Sequence, residues 1–499
     1  MKKYLLSSIC MLALSTPALA QDYEPGTGLS ILIDTIDDMG AKLDYSWDSS
    51  QFDYNSEKYK NVVFTIDGSS MTINDFEIKE NSGGTFYYKM EGLESSNDEE
   101  TLKADVAIIS THPKELLSLI SDMENVGLDC HSNNIKSRMQ LMNFSLVSNN
   151  EDFRFGMADL SFQPILDNGS CMLDAAYSLQ DISFVSNDVF VNLRNVSGDM
   201  YTSADYKIPT VTLSKDLYSN FTLSDLSFGF EPNSVFGGIQ SIKASGSNDS
   251  ASMLRLASSK INLLIEDIYA KDQLSNQESV YDPNYPLNLL DNPNADLAEI
   301  WNGFKEVVGN SNIQLSNAYI SKSALIENGI PIPQSLLNTS NDYLKLSGNM
   351  DFVKTNGGLD ISMGIDSPDI LSFDVGIGLG MGEVSSMPVD VNMALLTLPI
   401  GITNVSASFK DSGIDAAMKE VTGVGIKDNA ANVINHPMAN ILPSNGQLIL
   451  NWISSGLNGS TAYFSMNSNN PVPFMMMVPI AMGDWSNATS LFSVQSSVE

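Results

Sequence analysis

Few residues of this chain have the types and spacing that catalysis or metal binding requires. The 499 residues include three histidines, His112, His131 and His436, and none stands at metal-ligand spacing from another histidine or from a cysteine. The sequence contains no nucleophile elbow, no phosphate-binding loop and no dinucleotide fingerprint. We therefore expect no catalytic residue, no metal ion and no cofactor, although a site whose residues converge only in the folded chain stays open.

Two acidic clusters offer the oxygen ligands that calcium prefers. Neither has the spacing of an EF-hand loop, which favours their interpretation as solvated turn and helix-cap residues. Calcium binding stays an open alternative. The clusters consist of Asp34, Asp37 and Asp38, and of Asp282, Asp291 and Asp296.

The first twenty residues have the features of a cleavable export signal. Lys2 and Lys3 precede a short apolar run over 4–14, and Ala18-Leu19-Ala20 has the small residues that signal peptidase recognises. The apolar run is too short to span a bilayer. The sequence therefore predicts a mature chain that begins at Gln21 and is released into the periplasm. Release to the cell surface or the medium is the alternative.

The composition limits the classes of partner. The chain has 60 acidic and 26 basic residues and a formal net charge of −34, and removal of Lys2 and Lys3 with the signal changes this to −36. Such a charge repels nucleic acid and anionic lipid headgroups. No segment after the signal has 18 consecutive apolar residues, so we expect no transmembrane helix. We expect a lipid or another envelope protein as partner, with no prediction of the oligomeric state.

The cysteines support an oxidising compartment. Cys10 leaves with the signal, and Cys130 and Cys171 remain as an even pair. Their spacing is too wide for a catalytic CxxC redox pair. We predict a structural disulfide between them.

Alternation of apolar and polar residues dominates the second half of the chain and predicts antiparallel strands with one apolar face. Methionine-rich residues over 474–482 follow two prolines and suit a surface that accepts variable apolar ligands, although core filling is the more ordinary explanation of such residues. Together these segments predict a groove for an apolar ligand. The candidate groove residues are Leu344, Leu346, Met350, Phe352, Phe373 and Val375 in the strands, and Phe474, Met475 and Met477 in the methionine-rich segment.

A weak repeat occurs in the first half. Near copies of Asp-Leu-Ser-Phe begin at Asp159, Asp181 and Asp225, separated by 22 and 44 residues. The repeat predicts a meander in which successive hairpins extend one sheet. Chance matches in a serine-rich chain are the alternative.

The predicted fold is mainly β with a few helices, with elongated antiparallel sheets, curled or groove-forming, in two β-rich regions joined by helices. The helix signals include an N-cap at Asn294 with a terminating Gly309, and a helix that begins after Asp411. The predicted divisions are a signal peptide over 1–20, an N-terminal β-rich region over 21–248, a helical link over 249–310, and a C-terminal β-rich region over 311–499 with a helical insert at about 411–438.

Residues 310–480 resemble the YdgA-type and AsmA-like proteins of Gram-negative envelopes. These proteins have long amphipathic strands, then a pair of helices late in the chain, then final strands. Phe409–Asp415 resembles the passage from a strand into the helix pair, and Gly446–Asn451 and Pro471–Pro473 resemble the final strands. The cleavable signal departs from relatives that keep a membrane anchor. The resemblance implies lipid handling along a β groove and no catalytic residues. The favoured function is non-enzymatic binding or transfer of an apolar ligand, or support of envelope assembly, and the alternative is a secreted or surface structural or adhesive protein.

The predicted disulfide closes a loop of about 40 residues, which typically contributes about 3–4 kcal/mol in the chain-entropy model. We expect Cys130→Ser/Cys171→Ser to lower the free energy of unfolding by about this amount, measured by urea denaturation. The unreduced wild-type protein should show no thiol to an alkylating reagent. Two alkylated cysteines on the unreduced protein would contradict the pairing.

Overall fold

The computed structural model describes residues 26–38, 43–66, 69–81, 85–96, 100–112, 136–148, 150–186, 189–203, 213–231, 234–247, 293–382, 400–435, 443–473 and 491–499. Strands account for about two thirds of this part of the chain and helices for a much smaller share. The prediction of a mainly β fold is therefore confirmed. The export signal and the cysteine and groove residues Cys130, Phe474, Met475 and Met477 lie outside the described residues.

The strands alternate with tight turns for most of the chain. They are β1 (Leu43–Ser46), β2 (Ser49–Asp53), β3 (Ser56–Ile66), β4 (Ser69–Glu80), β5 (Phe86–Ser96), β6 (Glu100–Thr111), β7 (Ser137–Ser148), β8 (Glu151–Asp167), β9 (Ser170–Ser186), β10 (Val189–Ser203), β11 (Tyr218–Glu231), β12 (Ser234–Ser247), β13 (Ser311–Ser321), β14 (Tyr343–Lys354), β15 (Gly358–Ser367), β16 (Leu371–Met381), β17 (Ile400–Asp411), β18 (Ala462–Pro473) and β19 (Ser493–Val498). The helices are α1 (Thr27–Asp38), α2 (Pro293–Val308), α3 (Lys322–Glu327), α4 (Gln334–Leu337), α5 (Ile414–Thr422), α6 (Ile426–Ile434) and α7 (Pro443–Leu457).

The chain forms two compact units. Unit 1 comprises residues 1–207 and 219–235, and unit 2 comprises residues 208–218 and 236–499. Most of β12, which the sequence places in the first β-rich region, therefore belongs to unit 2. Within unit 1 each strand from β3 to β10 pairs antiparallel with the next, and within unit 2 the same holds from β12 to β19. This is the meander that the repeat predicts.

The core of unit 1 lies between α1 and one face of β3–β6. Leu29 of α1 is fully buried among the aromatic and aliphatic side chains of this face. The carboxylate of Glu57 accepts hydrogen bonds from the backbone N–H groups of Gly28 (2.6 Å) and Leu29 (3.1 Å). It also accepts one from the hydroxyl of Tyr59 (2.9 Å). Glu57 thus satisfies donors that the first turn of α1 leaves free, and this fixes the helix on the sheet.

Strand β4 shows how unit 1 keeps its apolar side chains on one face. Met71, Ile73, Phe76 and Ile78 are each at most 1% exposed, although the step from Ile73 to Phe76 is three residues. Strict alternation would turn Phe76 to the other face of the sheet, because successive side chains of a strand point to opposite faces. The backbone of the sheet is therefore irregular at this level, and this break keeps Phe76 and Ile78 on the same face as Met71 and Ile73.

The break is a left-handed backbone conformation at one residue of each odd-numbered strand from β3 to β11. Asn61 faces Asn74 across β3 and β4 at this level, between the regular pairs Lys60–Asp75 and Val62–Ile73. An L residue with a side chain pays a steric cost at positive φ, which Gly avoids and Asn and Asp tolerate best. The left-handed residues are Asn61 (φ 50°), Gly92 (φ 64°), Asn143 (φ 51°), Asp181 (φ 53°) and Asp225 (φ 55°). We call them the αL row.

Side chains link members of the αL row to their neighbours. The amide of Asn61 donates to Asp48 (2.7 Å), and the amide of Asn143 donates to Asp105 (2.7 Å). At Gly92, an added Cβ would lie 2.2 Å from the amide nitrogen of Asn74, so that a larger residue would require the side chain of Asn74 to move. In unit 2, Asn317 of β13 has the same conformation, with φ 47°.

The αL row explains part of the sequence repeat. Asp181 and Asp225 begin two of the three near copies and occupy equivalent places in β9 and β11. Asp159 begins the third copy but lies in β8 outside the row, where it pairs with Ser178 and accepts hydrogen bonds from Arg138 and Gln140. Two copies are thus structurally equivalent, and the third is not.

The helices of unit 2 confirm some sequence predictions and correct two. Helix α2 ends just before Gly309, as predicted, but it begins at Pro293, so that Asn294 lies inside the helix and is not its N-cap. Asp411 Oδ1 accepts hydrogen bonds from the first backbone N–H groups of α5, as the sequence predicts. The strand predicted over Gly446–Asn451 is wrong, because these residues lie inside α7. Pro443 at the first helical position and the helical spacing of Leu448 and Trp452 favour this helix.

We expect Asn143→Ala to destabilise the protein by about 1–2 kcal/mol relative to Asn143→Gly, because both changes remove the amide bonded to Asp105 and only alanine is strained at positive φ. Urea denaturation measures both free energies of unfolding. Asn192→Ala, at an ordinary position of β10, is the control and should change little. Equal stability of the alanine and glycine variants would show that φ at this position does not matter.

Candidate functional site

The predicted groove residues that the structure describes share one face of unit 2. Antiparallel pairing places Met350 of β14 opposite Met363 of β15, and Met363 opposite Val375 of β16. Phe352 likewise lies opposite Ile361, because cross-strand partners project from the same side of the sheet. We define the apolar surface as Ile313, Ile320, Leu344, Leu346, Met350, Phe352, Ile361, Met363, Phe373 and Val375.

The apolar surface continues into β13 despite the irregular pairing there. Ile313 pairs with Met350 and Ile320 pairs with Leu344, on either side of the register shift between Leu315 and Ala318. The left-handed residue of β13 lies within this shift and restores the phase of the strand, as the αL row does in unit 1. Both ends of β13 thus present apolar side chains to the same face.

Much of the apolar surface is accessible to solvent. Ile313, Ile320, Leu346 and Met363 are 39–48% exposed. The remaining members are half-buried, and none is fully buried. Single exposed apolar residues are ordinary, but neighbouring ones on one sheet face form a contiguous patch of the kind that marks ligand or partner sites. The register shows that these residues are neighbours.

The same face is covered further along the sheet, over β17 and β18. The ring of Trp452 in α7 lies 6.1 Å from that of Phe409 and 5.8 Å from that of Phe464, between ring centroids. Its indole N–H donates to the carbonyl of Ala462 (2.9 Å). Gly456 allows this close approach, because an added Cβ would lie 2.2 Å from the ring of Phe409. Helix α7 therefore bounds the apolar surface on one side.

The opposite face of the same strands is polar. The amide of Asn349 donates to Asp351 (2.7 Å), and the hydroxyl of Ser408 donates to Asp374 (2.9 Å). Ser362 of β15 is exposed on this face, next to Met363 in sequence. The sheet of unit 2 is thus amphipathic in the way that the alternating sequence predicts.

Short helices stand at the end of the apolar surface where β13 leads into β14. The chain passes from Ser321 through α3 and α4 to Tyr343, directly beside the pair Ile320–Leu344. Glu420 of α5 accepts hydrogen bonds from the backbone N–H groups of Gln334 (2.5 Å) and Ser335 (3.1 Å). These backbone hydrogen bonds lower the pKa of Glu420. An ionised carboxylate thus links α5 to the start of α4.

In the described part of the chain, no group of three or more His, Cys, Asp and Glu residues is arranged to hold a metal ion. None of the helices described has the length and apolar character of a membrane-spanning helix. Cys171 lies in β9, and because Cys130 is outside the described residues the disulfide stays a prediction.

Comparison with known proteins adds no assignment to this geometry. No known protein family matches the chain, and no curated protein sequence matches it. The resemblance to the YdgA-type and AsmA-like proteins therefore stays a prediction.

We expect Leu346→Ser and Met363→Ser to change the free energy of unfolding by less than about 0.5 kcal/mol, because exposed side chains contribute little to stability. Phe409→Ala, which empties a buried position beneath Trp452, should cost about 3–5 kcal/mol. Urea denaturation of the three variants tests the difference. A loss at Leu346 as large as that at Phe409 would mean that the apolar surface is part of a closed core.

Proposed function

We propose that this protein is a non-enzymatic periplasmic binding protein for an apolar ligand such as a lipid acyl chain, which lies on the apolar surface. The observation that carries the proposal is the exposure of Ile313, Leu346 and Met363 on one face, beside the part of that face that α7 covers. A ligand bound here would cover the apolar face of β13–β15, as α7 covers the same face of β17 and β18.

The dimensions of the surface suit a long hydrocarbon chain. From Leu344 to Phe352 the strand extends about 27 Å at about 3.4 Å per residue. Strands β13 to β16 add a width of about 14 Å at about 4.8 Å between neighbours. Burial of each methylene group contributes about 0.8 kcal/mol, so that about ten methylenes offset the cost of association and leave measurable affinity.

Charge does not supply the affinity. The chain carries a formal charge of −34, and the acidic residues Asp351 and Asp374 lie on the face opposite the apolar surface. Binding that depends on buried apolar area should weaken little as salt is raised, whereas binding that depends on exposed charges is screened. Salt dependence therefore separates an apolar ligand from an ionic partner.

Two neighbouring residues of β15 provide a matched test with the neutral apolar dye N-phenylnaphthylamine. Met363→Lys places a charge on the apolar surface, and Ser362→Lys places the same charge on the opposite face. We expect Met363→Lys to weaken dye binding at least about tenfold, which corresponds to about 1.4 kcal/mol, and Ser362→Lys to leave it unchanged. Fluorescence titration measures both dissociation constants.

Native mass spectrometry of the protein purified from a periplasmic extract tests the natural ligand. Lipid bound at fixed stoichiometry to the wild-type chain, and lost from Met363→Lys, would support the proposal. Equal dye binding by both lysine variants, together with a ligand-free wild-type mass, would overturn it and favour a structural or partner-binding role.

A further inference from the structure

Unit 1 contains a concave site that is unrelated in chemistry to the apolar surface of unit 2. A cleft of about 470 Å³ opens on the polar face of β2–β5. This volume lies within the range of small-ligand sites. Six charged side chains line it, Lys58, Lys60, Asp75, Glu77, Lys89 and Glu91.

The charged residues of the cleft stand in two rows across the strands. In the first row Glu77 lies between Lys58 and Lys89, and in the second Asp75 lies between Lys60 and Glu91. Ser49 and Gln51 of β2 extend the two rows at the edge of the cleft. Neighbouring strands are about 4.8 Å apart, so that donors and acceptors are presented at short and regular intervals.

Ion pairs hold most of these side chains in place. Lys58 lies 3.3 Å from Glu77, and Lys89 lies 2.5 Å from Glu91. Lys60 is bonded to Asp75. Lys79, next to the cleft, adds a second contact to Glu77 at 3.0 Å. The charged groups are thus positioned before any ligand arrives.

The cleft is locally neutral in a strongly acidic chain. Its three lysines balance its three carboxylates, whereas the whole chain has a formal charge of −34. Burial opposes ionisation of Glu77, but hydrogen bonds from Lys79 and Lys58 outweigh it and lower the pKa of this carboxyl. Glu77 is therefore ionised at neutral pH. A simple anion or cation would meet an opposing charge next to each attractive one.

A neutral ligand with many hydroxyl groups matches this arrangement. Each hydroxyl both donates and accepts a hydrogen bond, so that it can donate to a carboxylate and accept from a neighbouring lysine. The side chains of the six charged residues are 21–59% exposed and thus within reach of a ligand. We propose that the cleft on β2–β5 binds a neutral saccharide, held between the lysine and carboxylate rows.

Saturation-transfer NMR and calorimetric titration of the full mature protein with glucose, maltose, lactose and sucrose test this proposal. We expect saturable binding of at least one of these saccharides. Glu77→Gln should weaken it about tenfold, because hydrogen bonds to charged groups are the stronger ones and this carboxylate lies at the centre of the first row. Exposed ion pairs contribute little to stability, so the variant should fold normally.

Glu94→Gln is the matched control. Glu94 pairs with Lys103 at 3.0 Å in the same sheet but does not line the cleft, and its replacement should leave saccharide binding unchanged. Equal affinity of the wild-type protein and Glu77→Gln would overturn the proposal. So would binding of inorganic phosphate with no binding of any saccharide, which would identify an anion site instead.

Discussion

The core of unit 1 depends on the αL row, which keeps the apolar side chains of each strand on one face of the sheet although their alternation is interrupted there. A strand as long as β8 or β9 alternates strictly only if nothing interrupts its pleat. In unit 1 the αL row interrupts successive hairpins, and the apolar residues on either side of the interruption stay on the same face because the spacing of three residues compensates for it. The row is therefore a condition for a continuous core over β3–β6.

The cleft of unit 1 lies next to the same row. Lys60 and Glu91 directly precede the left-handed residues Asn61 and Gly92 in β3 and β5, and both line the cleft. The residues that correct the phase of the core on one face thus stand beside the concave site on the other.

Parts of the fold could be predicted because their signals are local. Alternation over β14–β16 is unbroken, and Gly309 marks the end of α2. The segment Gly446–Asn451 was predicted wrongly because a short apolar run such as Leu448–Leu450 fits a buried strand and a helix equally well. The αL row was missed because its signal is a three-residue step within an alternating pattern, which resembles noise in any single strand. It becomes visible only when the strands are aligned by their pairing.

For the candidate site, the sequence predicts which face of the sheet a residue lies on, but not whether that residue is covered. Alternation assigns Met350, Phe373 and Phe409 to one face, but it does not tell which of them a helix covers. Phe409 is buried because Trp452, more than forty residues later, packs over it, while Leu346 on the same face is 40% exposed. The charged cleft has the same limitation, since Lys58 and Glu77 become partners only through the register of β3 and β4.

The buried cluster of unit 2 includes no member of the apolar surface. This cluster, Ile402, Met466, Val472 and Phe492, lies over β17 and β18, and α7 covers Phe409 nearby. Exposed residues such as Ile313 and Met363 therefore add little to folding, while an exposed apolar patch favours association between copies of the chain. The formal charge of −34 opposes such association through mutual repulsion. A strongly acidic chain can thus keep an apolar face exposed, because repulsion between copies opposes the association that this face favours.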